Sequence, residues 1–328
     1  MTKARVFSGM QPSGRFHLGN YVGALQNWIK MQHEYECIFS IVDWHALTSQ
    51  YEEPGGIKGN IHQMAIDWLS AGLDPEKCII FVQSHVKEHA ELHLLLSMLT
   101  PLGWLERVPT YKDKLQQLGD MGKEINTYGF LGYPVLQTAD IILYKAALVP
   151  VGVDQIPHLE LAREIVRRFN HLYGNVFPEP GVKLSEYPLV PGIDGRKMSK
   201  SYGNDISMSG DPEEIGTKVR QMITDPQRVR KTDPGNPAVC GVFTFHKLFN
   251  DGDTAEITES CKNASIGCVV CKKRLAERMI DHLTPVRERR LVLEANPGLI
   301  DEILYSGAEK AREIARKTIG EVRDALKL

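Results

Sequence analysis

The sequence has no long apolar run and no excess of one charge. In 328 residues, no stretch approaches the roughly 18 apolar residues of a membrane-spanning helix. The first basic residues are not followed by the apolar segment of a secretory signal, so we expect a cytoplasmic protein with reduced cysteines. Lys and Arg total 39 and Asp and Glu 41, a net charge of −2 that alone argues mildly against a nucleic-acid partner. Collagen-like and low-complexity chains are also excluded, because no repeat or biased tract is present.

The near-neutral total hides an uneven distribution of charge. Residues 1–195 carry 16 basic and 21 acidic side chains, whereas residues 196–328 carry 23 and 20. Basic residues concentrate in the ranges 218–231 and 262–290. Patches of this kind can contact phosphates, although they can equally be solvated helix faces.

The first half alternates short apolar runs with longer amphipathic ones. The runs at 4–7, 37–42, 78–82 and 149–151 predict strands, and the segments 20–31, 57–69, 88–99 and 155–169 predict helices. This α/β order predicts a Rossmann-like doubly wound parallel sheet. Residues 174–210 read as a linker with loops, and the rest predicts a C-terminal helical domain ending in a helix at 307–328. We therefore expect two domains, residues 1–195 and 196–328.

One candidate site is the sequence SGMQPSG at residues 8–14, followed by HLGN at residues 17–20. It lies between a predicted strand and a predicted helix, where glycines allow close approach and the helix start attracts anions. His17 and Asn20 bracket Gly19, on which an adenine or a ribose could lie. The alternative is a tight turn with a surface histidine.

A second candidate site is GRKMSKS at residues 195–201. Lys197 and Lys200 lie three residues apart with serines beside them in a glycine-bounded loop. A cationic loop of this kind suits a pyrophosphate leaving group, whose charge grows in the transition state. The alternative is an ordinary solvated loop.

Together the two motifs resemble the HxGN and KMSKS pair of class I aminoacyl-tRNA synthetases. The words SGMQPSGxxHLGNYVGAL, IVDWHALT, LQTADIILY and PVGVDQ resemble bacterial tryptophanyl-tRNA synthetases over essentially the whole chain. The resemblance implies that ATP and Mg²⁺ activate L-tryptophan to an adenylate, which then charges tRNA(Trp). It also implies a homodimer, a catalytic domain at 1–195, and a KMSKS loop with an anticodon-binding domain at 196–328. The last helix is expected to pack back on the catalytic domain. The rivals are a tyrosyl-tRNA synthetase and a non-catalytic paralogue that only binds RNA or a ligand.

The resemblance also assigns residues to three roles. Catalysis is expected from His17, Asn20, Lys114, Lys197 and Lys200. ATP is expected to contact Gln11, Pro12, Ser13, Gly19, Asn20, Gly152, Val153, Asp154, Lys197, Met198, Ser199, Lys200 and Ser201. Tryptophan is expected to contact Phe7, Val42, His45, Tyr133, Gln137, Asp140 and Gln155.

Three of the tryptophan-site residues have alternatives or depart from the family. Asp140 is expected to accept the indole N–H, although it could be a helix N-cap before Ile141. His45 could be an ordinary buried histidine. Gln137 stands where many bacterial relatives have Met, and it resembles the eukaryotic enzymes. It could add a second polar contact to the indole.

Four of the six cysteines form a C-x20-C-x6-C-x2-C pattern, namely Cys240, Cys261, Cys268 and Cys271. Four thiolates can bind Zn²⁺ or a [4Fe–4S] cluster, and the spacing alone leaves both open. Some synthetases of this family carry a similar set, with a slightly longer first gap, that binds a [4Fe–4S] cluster near the anticodon. The resemblance therefore favours the cluster, with Zn²⁺ as the alternative. The neighbouring basic residues could contact the anticodon arm, namely Lys262, Lys272, Lys273 and Arg274.

Overall fold

The sheet confirms the predicted fold class. The computed structural model describes residues 3–109, 126–184 and 190–328. Five strands in this part of the chain pair in parallel in the order β3-β2-β1-β4-β5. They are β1 Arg5–Met10, β2 Glu36–Ile41, β3 Cys78–Val82, β4 Leu148–Val151 and β5 Gly181–Leu184.

Helices cover the sheet and make up most of the second half. In the described residues the α-helices are α1 Leu18–Asn20, α2 Gln26–Glu34, α3 Asp43–Gln50, α4 Ile57–Ala71, α5 Glu88–Ser97, α6 Leu102–Glu106, α7 Tyr128–Leu143, α8 Ile156–Tyr173, α9 Pro212–Gln221, α10 Gly241–Phe249, α11 Thr254–Lys262, α12 Cys268–Glu294 and α13 Pro297–Leu326. A π-helical turn, Tyr21–Leu25, joins α1 to α2. No helix in the described ranges is both long enough and apolar enough to cross a membrane.

Three local predictions need correction. The range 174–210 contains strand β5, because its backbone continues the sheet beside β4. The last helix begins at Pro297 rather than at residue 307, with proline in the first turn, where a missing N–H costs nothing. Asp140 lies inside α7 and not before a helix, so the N-cap alternative is wrong.

The core fills both faces of the sheet. On one face Trp28 stacks on Phe39 with ring centroids 4.4 Å apart, and on the other Phe7 stacks on Tyr144 at 5.4 Å. The first of these cores also contains Met198, Ile206 and many side chains of α12. Apolar packing is therefore continuous across residue 195, and the domain boundary there stays a prediction.

The last helix, α13, packs directly on β3 through small residues. A Cβ at Gly307 would lie 1.8 Å from the carbonyl oxygen of Ile80. Ala308, Ala311 and Ala315 continue this buried surface. The close approach of two backbones requires glycine at residue 307.

The strand order reverses between β1 and β4. The strands that follow β1 first extend the sheet on one side, to β2 and β3, and then on the other, to β4 and β5. In open parallel sheets, ligands bind outside the carboxyl ends of the strands at such a reversal. The fold therefore predicts a ligand site at the residues that follow Met10 and Val151.

We expect Gly307→Ala to lower the free energy of unfolding by about 1–3 kcal/mol, the usual cost of overpacking. The added methyl group meets backbone, which cannot move aside as a flexible side chain would. The matched control is Gly320→Ala on the same helix, where a Cβ meets nothing within 4 Å. That change should be stabilising by up to about 1 kcal/mol through helix propensity. Urea denaturation of both variants measures the difference, and equal midpoints would contradict the packing argument.

Candidate active site

A cavity of about 700 Å³ opens at the carboxyl ends of β1 and β4. Thirteen of the residues predicted for the site line it, namely Phe7, Gln11, Gly19, Asn20, Val42, His45, Tyr133, Gln137, Asp140, Gly152, Asp154, Gln155 and Lys197. The other predicted residues in the described ranges are not among its lining, namely Pro12, Ser13, His17, Val153, Met198, Ser199, Lys200 and Ser201. Lys114 lies outside the described residues.

The HLGN motif forms a reciprocal cap on α1. His17 Nδ1 accepts the Asn20 N–H at 3.3 Å, and Asn20 Oδ1 accepts the His17 N–H at 3.2 Å. Burial lowers the pKa of His17, Asp205 opposes this shift, and Lys200 and Lys197 add to it. The ring is therefore neutral at pH 7, which keeps Nδ1 available as an acceptor.

The two motifs meet in space although about 180 residues separate them. Lys200 Nζ donates to the carbonyl oxygen of Ser13 at 2.7 Å, and the Gly19 N–H donates to Met198 Sδ at 3.3 Å. Just beyond the lysines, the chain pairs with the first motif through backbone hydrogen bonds. Leu18 N–H donates to Ile206 O at 2.9 Å, and Met208 N–H donates to Phe16 O at 3.0 Å. Both motifs are thereby held at one side of the cavity.

Asn204 organises the lysine loop, and the sequence analysis did not identify it. Its side chain is buried, its Oδ1 accepts the Ser199 N–H at 2.8 Å, and its Nδ2 donates to Asp194 Oδ1 at 2.7 Å and to Lys197 O at 3.2 Å. One amide thus satisfies backbone groups on both sides of Met198. In the sequence it is only an asparagine after a glycine, which is an ordinary turn pattern.

Asp140 lies at the inner end of the cavity within a buried hydrogen-bond network. Its Oδ2 is 2.9 Å from His45 Nε2, and its Oδ1 is 2.7 Å from His89 Nδ1. Gln83 Nε2 donates to both oxygens, at 2.7 and 2.9 Å. Burial alone would raise the pKa of Asp140, but His89 and His45 outweigh it and hold the pKa at about 2. The carboxylate is therefore ionised at neutral pH.

Two further hydrogen bonds lie around this network, and three of the residues that form them, His89, Tyr144 and His158, were not predicted from the sequence. His89 Nε2 lies 2.7 Å from the hydroxyl of Tyr144, and Tyr133 OH lies 2.6 Å from His158 Nε2. His158 lines the cavity. His45 is buried and hydrogen-bonded to Asp140, and its role in binding tryptophan stays a prediction.

These features define what the cavity can bind. Phe7 and Val42 supply apolar walls, and Asp140 supplies one buried acceptor. Lys197, in the second motif, lines the cavity. Lys200 of the same motif contacts the first motif at the carbonyl oxygen of Ser13. A volume of this size suits a small ligand. The arrangement fits an aromatic molecule with an N–H donor next to a polyphosphate.

The four clustered cysteines form no disulfide bond and are partly buried. Burial raises the pKa of Cys271 to about 12, and the nearby thiols of Cys240, Cys261 and Cys268 add to that shift. His246 Nε2 also lies 3.3 Å from Cys271 Sγ. Four free thiols in one neighbourhood are a suitable donor set for a metal centre. Among the residues described, however, no three Cys, His, Asp or Glu side chains are arranged to hold a metal ion.

Comparisons with known proteins agree with this geometry. Residues 1–284 match the family model described as tRNA synthetases class I (W and Y). A tryptophan–tRNA ligase of Thermotoga maritima is 50% identical over 327 residues, covering 99% of each chain. One from Aquifex aeolicus is 45% identical and covers 99% of this chain and 100% of its own.

A solved structure indicates the same family. Tryptophanyl-tRNA synthetase from Campylobacter jejuni, complexed with ADP and tryptophan, superposes with a TM-score of 0.89 at 35% identity, covering 99% of this chain and 100% of its own. The match spans the sheet, the two motifs and the C-terminal helices. The chain therefore belongs to the class I tRNA synthetases of the tryptophan and tyrosine group.

Proposed function

We propose that the chain is a tryptophan–tRNA ligase, which joins L-tryptophan to tRNA(Trp) at the expense of ATP. The observation that carries the proposal is the ionised Asp140 at the inner end of a cavity whose other side is formed by the two nucleotide motifs. The relatives from Thermotoga maritima and Aquifex aeolicus, both tryptophan–tRNA ligases, support the choice of amino acid.

The tryptophan site would use Asp140 as the acceptor for the indole N–H. A carboxylate offers about four lone-pair positions, and His45, His89 and the two contacts of Gln83 occupy them. An indole N–H would replace one of the two contacts of Gln83, which keeps the other. A buried acceptor that loses its donor discriminates strongly against other side chains. Phe7 and Val42 would contact the ring.

The remaining predicted tryptophan contacts would be polar. Tyr133 and Gln155 would hold the amino group of the substrate. Gln137 lines the cavity and would add a second polar contact to the indole.

The first chemical step needs orientation and charge stabilisation rather than a base. The ionised tryptophan carboxylate attacks the α-phosphorus of ATP, a phosphorus–oxygen bond forms, and pyrophosphate leaves with its electron pair. Catalysis would come from positioning and from cations at the leaving group. Lys197 and Lys200 would hold the phosphates, with Mg²⁺ accompanying ATP. Lys114 is proposed as a further phosphate contact on its sequence context alone.

The other nucleotide contacts follow from the two loops. His17 and Asn20 would contact the phosphate and ribose region above Gly19. Gly152 and Asp154 line the cavity and would contact the ribose. The rest of the two motifs would complete the ATP site, namely Gln11, Pro12, Ser13, Val153, Met198, Ser199 and Ser201.

In the second step the 3′-terminal ribose of tRNA attacks the adenylate and AMP leaves. We place the anticodon contacts in residues 196–328 and the catalytic domain in residues 1–195. Lys273 is exposed, while Arg274 pairs with Glu256 at 2.8 Å and Lys272 donates to Arg220 O at 2.7 Å. These basic groups lie near the cysteine cluster and could contact phosphates of the anticodon arm.

A homodimer is supported by apolar side chains at one side of the catalytic half. Leu94, Met98, Leu102 and Tyr128 are all more than half exposed. They belong to α5, α6, α7 and the turn between α5 and α6, and these helices pack together. Exposed apolar groups of this kind are typical of subunit interfaces.

For the cysteines we propose a [4Fe–4S] cluster held by Cys240, Cys261, Cys268 and Cys271. The support is that all four cysteines are free and that Cys240, Cys261 and Cys268 lie near enough to Cys271 to raise its pKa. When bound, the cluster would fix the residue before α10 and the end of α11 to the start of α12, because metal binding contributes folding free energy. Zn²⁺ is the alternative occupant.

We expect tryptophan, and not tyrosine, to drive exchange of pyrophosphate with ATP. Asp140→Asn should reduce the preference for tryptophan by about 1–3 kcal/mol, the usual effect of an impaired buried hydrogen bond. The apparent affinity for ATP is the internal control, because Asp140 is at the other end of the cavity. Exchange that depends on tyrosine alone would support the tyrosyl rival, and an absence of exchange with any amino acid would support the non-catalytic paralogue.

Lys200→Ala should slow adenylate formation by roughly 10²–10³-fold while leaving tryptophan binding almost unchanged. The charge on pyrophosphate develops in the transition state, whereas bound tryptophan is remote from the lysine. Lys218→Ala is a matched control, because Lys218 also donates to a backbone carbonyl, that of Gly203, whereas Lys200 donates to that of Ser13 in the first motif. Rapid-quench kinetics separates the two effects, and equal losses in rate and in tryptophan affinity would argue against the role.

Anaerobically purified protein should be brown and contain iron and sulfide in equal amounts. Cys268→Ser should lose both, since it removes one of four ligands. Cys37→Ala is the matched control, because Cys37 is buried in β2, away from the cluster. Metal analysis that finds one zinc per chain in colourless protein would replace the cluster by the zinc alternative.

A further inference from the structure

The first nucleotide loop, residues 11–17, has no regular structure of its own. Its backbone is fixed at Phe16, whose N–H donates to Asp67 Oδ2 at 2.7 Å. Asp67 belongs to α4 and is completely buried. Neither Phe16 nor Asp67 lines the cavity. The loop that would hold ATP is thus attached to a buried carboxylate behind it.

The charge on Asp67 is balanced from the other half of the chain. Arg290 of α12 donates from Nη1 to Asp67 Oδ1 and from Nη2 to Gln63. Its Nε donates to Glu294 at 3.0 Å. Arg290 is only 2% exposed, so the pair is sealed from water. Burial raises the pKa of Asp67 to about 6, and Arg290 opposes that shift.

The same helix touches the nucleotide motif a second time. His282 Nε2 lies 3.1 Å from the hydroxyl of Tyr21, the first residue of the π-helical turn after HLGN. Arg289 Nε donates to the carbonyl of Ser70 at 2.6 Å, which fixes α12 against α4. Helix α12 therefore supports the motif on both sides, before His17 and after Asn20.

Stability alone does not account for such a pair. A buried ion pair contributes little net stability compared with apolar residues of similar size, because desolvation offsets the attraction. The ion pair does fix the direction of Asp67 Oδ2, the oxygen that accepts the Phe16 N–H. On that loop, Ser13 O receives Lys200 and Phe16 O receives Met208 N–H. A shift of Phe16 would therefore move both motifs.

We propose that Asp67 and Arg290 are positioning residues for adenylate formation, acting through the Phe16 N–H on the loop that holds ATP. The proposal rests on the proposed function, because it assumes that the loop binds ATP. Asp67 and Arg290 would not touch the substrate themselves. The pair also connects α12, which carries Cys268 and Cys271 at its first turn, to the nucleotide loop through Asp67.

Two double variants isolate the hydrogen bond from the charge. Asp67→Leu with Arg290→Met and Asp67→Asn with Arg290→Met both remove the buried ion pair, so neither leaves a buried charge without its partner. Both also remove the contact of Arg290 with Glu294, so this effect is the same in the two variants. Leu and Asn have similar shapes, but only Asn can accept the Phe16 N–H. Electrostatic effects on Lys200 and Arg15 are the same in both. Any difference between them reports the loop contact.

We expect the Leu variant to bind ATP about ten-fold more weakly than the Asn variant, as for the loss of one buried acceptor. Tryptophan binding should be equal in the two. Calorimetric titration with ATP and with tryptophan measures both, and thermal unfolding by circular dichroism checks that both are folded. Arg278→Met on the same helix, which removes an exposed pair with Asp253, is the control and should bind ATP like the unmodified chain.

The outcomes separate this inference from the proposed function. Equal ATP affinity in the two double variants would overturn the positioning role, even if tryptophan-dependent exchange proceeds. Weaker ATP and tryptophan binding together in the Leu variant would also overturn it, because a general structural defect would be the cause. Selectively weaker ATP binding supports the role, even if the unmodified chain shows no exchange and the proposed function fails.

Discussion

Residues 16–18 pair with residues 206–208 through backbone hydrogen bonds, and the rest of the nucleotide site depends on this pairing. Leu18 donates to Ile206 and Met208 to Phe16, so the strand-to-helix turn after β1 is held against a segment from the other half of the chain. The cationic loop lies just before that segment and reaches Ser13 and Gly19. Backbone pairing is insensitive to side-chain identity, and it leaves the motif side chains available for a ligand. The two motifs behave as one site because their backbones are joined.

The other end of the cavity obeys a different constraint, the cost of burying a charge. An isolated carboxylate in this position would become protonated and lose its value as an acceptor. His45, Gln83 and His89 surround Asp140 with donors, and the two histidines hold its pKa at about 2. The same donors fix the orientation of the carboxylate. The proposed selectivity for an indole N–H therefore depends on the whole network and not on Asp140 alone, since an entering donor must replace one of the existing contacts.

The sequence predicted the features that depend on local pattern or on motif. The alternation of apolar runs predicted β1 to β4. The HLGN and KMSKS motifs identified residues that the structure brings together. It did not predict β5, since a short strand among prolines and glycines resembles a loop. Gln83, His89 and Asn204 were missed because their roles depend on partners that are distant in the sequence. Gln83 and His89 lie 57 and 51 residues from Asp140, and Asn204 lies 10 residues from Asp194. Local periodicity carries no information on such pairs. Asp140 could be read as an N-cap because the helix that contains it begins far upstream, at Tyr128.

Helix α12 joins these constraints into one body. It is 27 residues long, roughly 40 Å at 1.5 Å per residue, with Cys268 and Cys271 at one end and Arg290 near the other. Pro285 lies inside it and could allow bending, yet His282 and Arg289 contact Tyr21 and Ser70 on either side of that proline. The helix is thus braced on both sides of its weakest point. These contacts hold Arg290 in place against Asp67, and Asp67 in turn holds the Phe16 N–H.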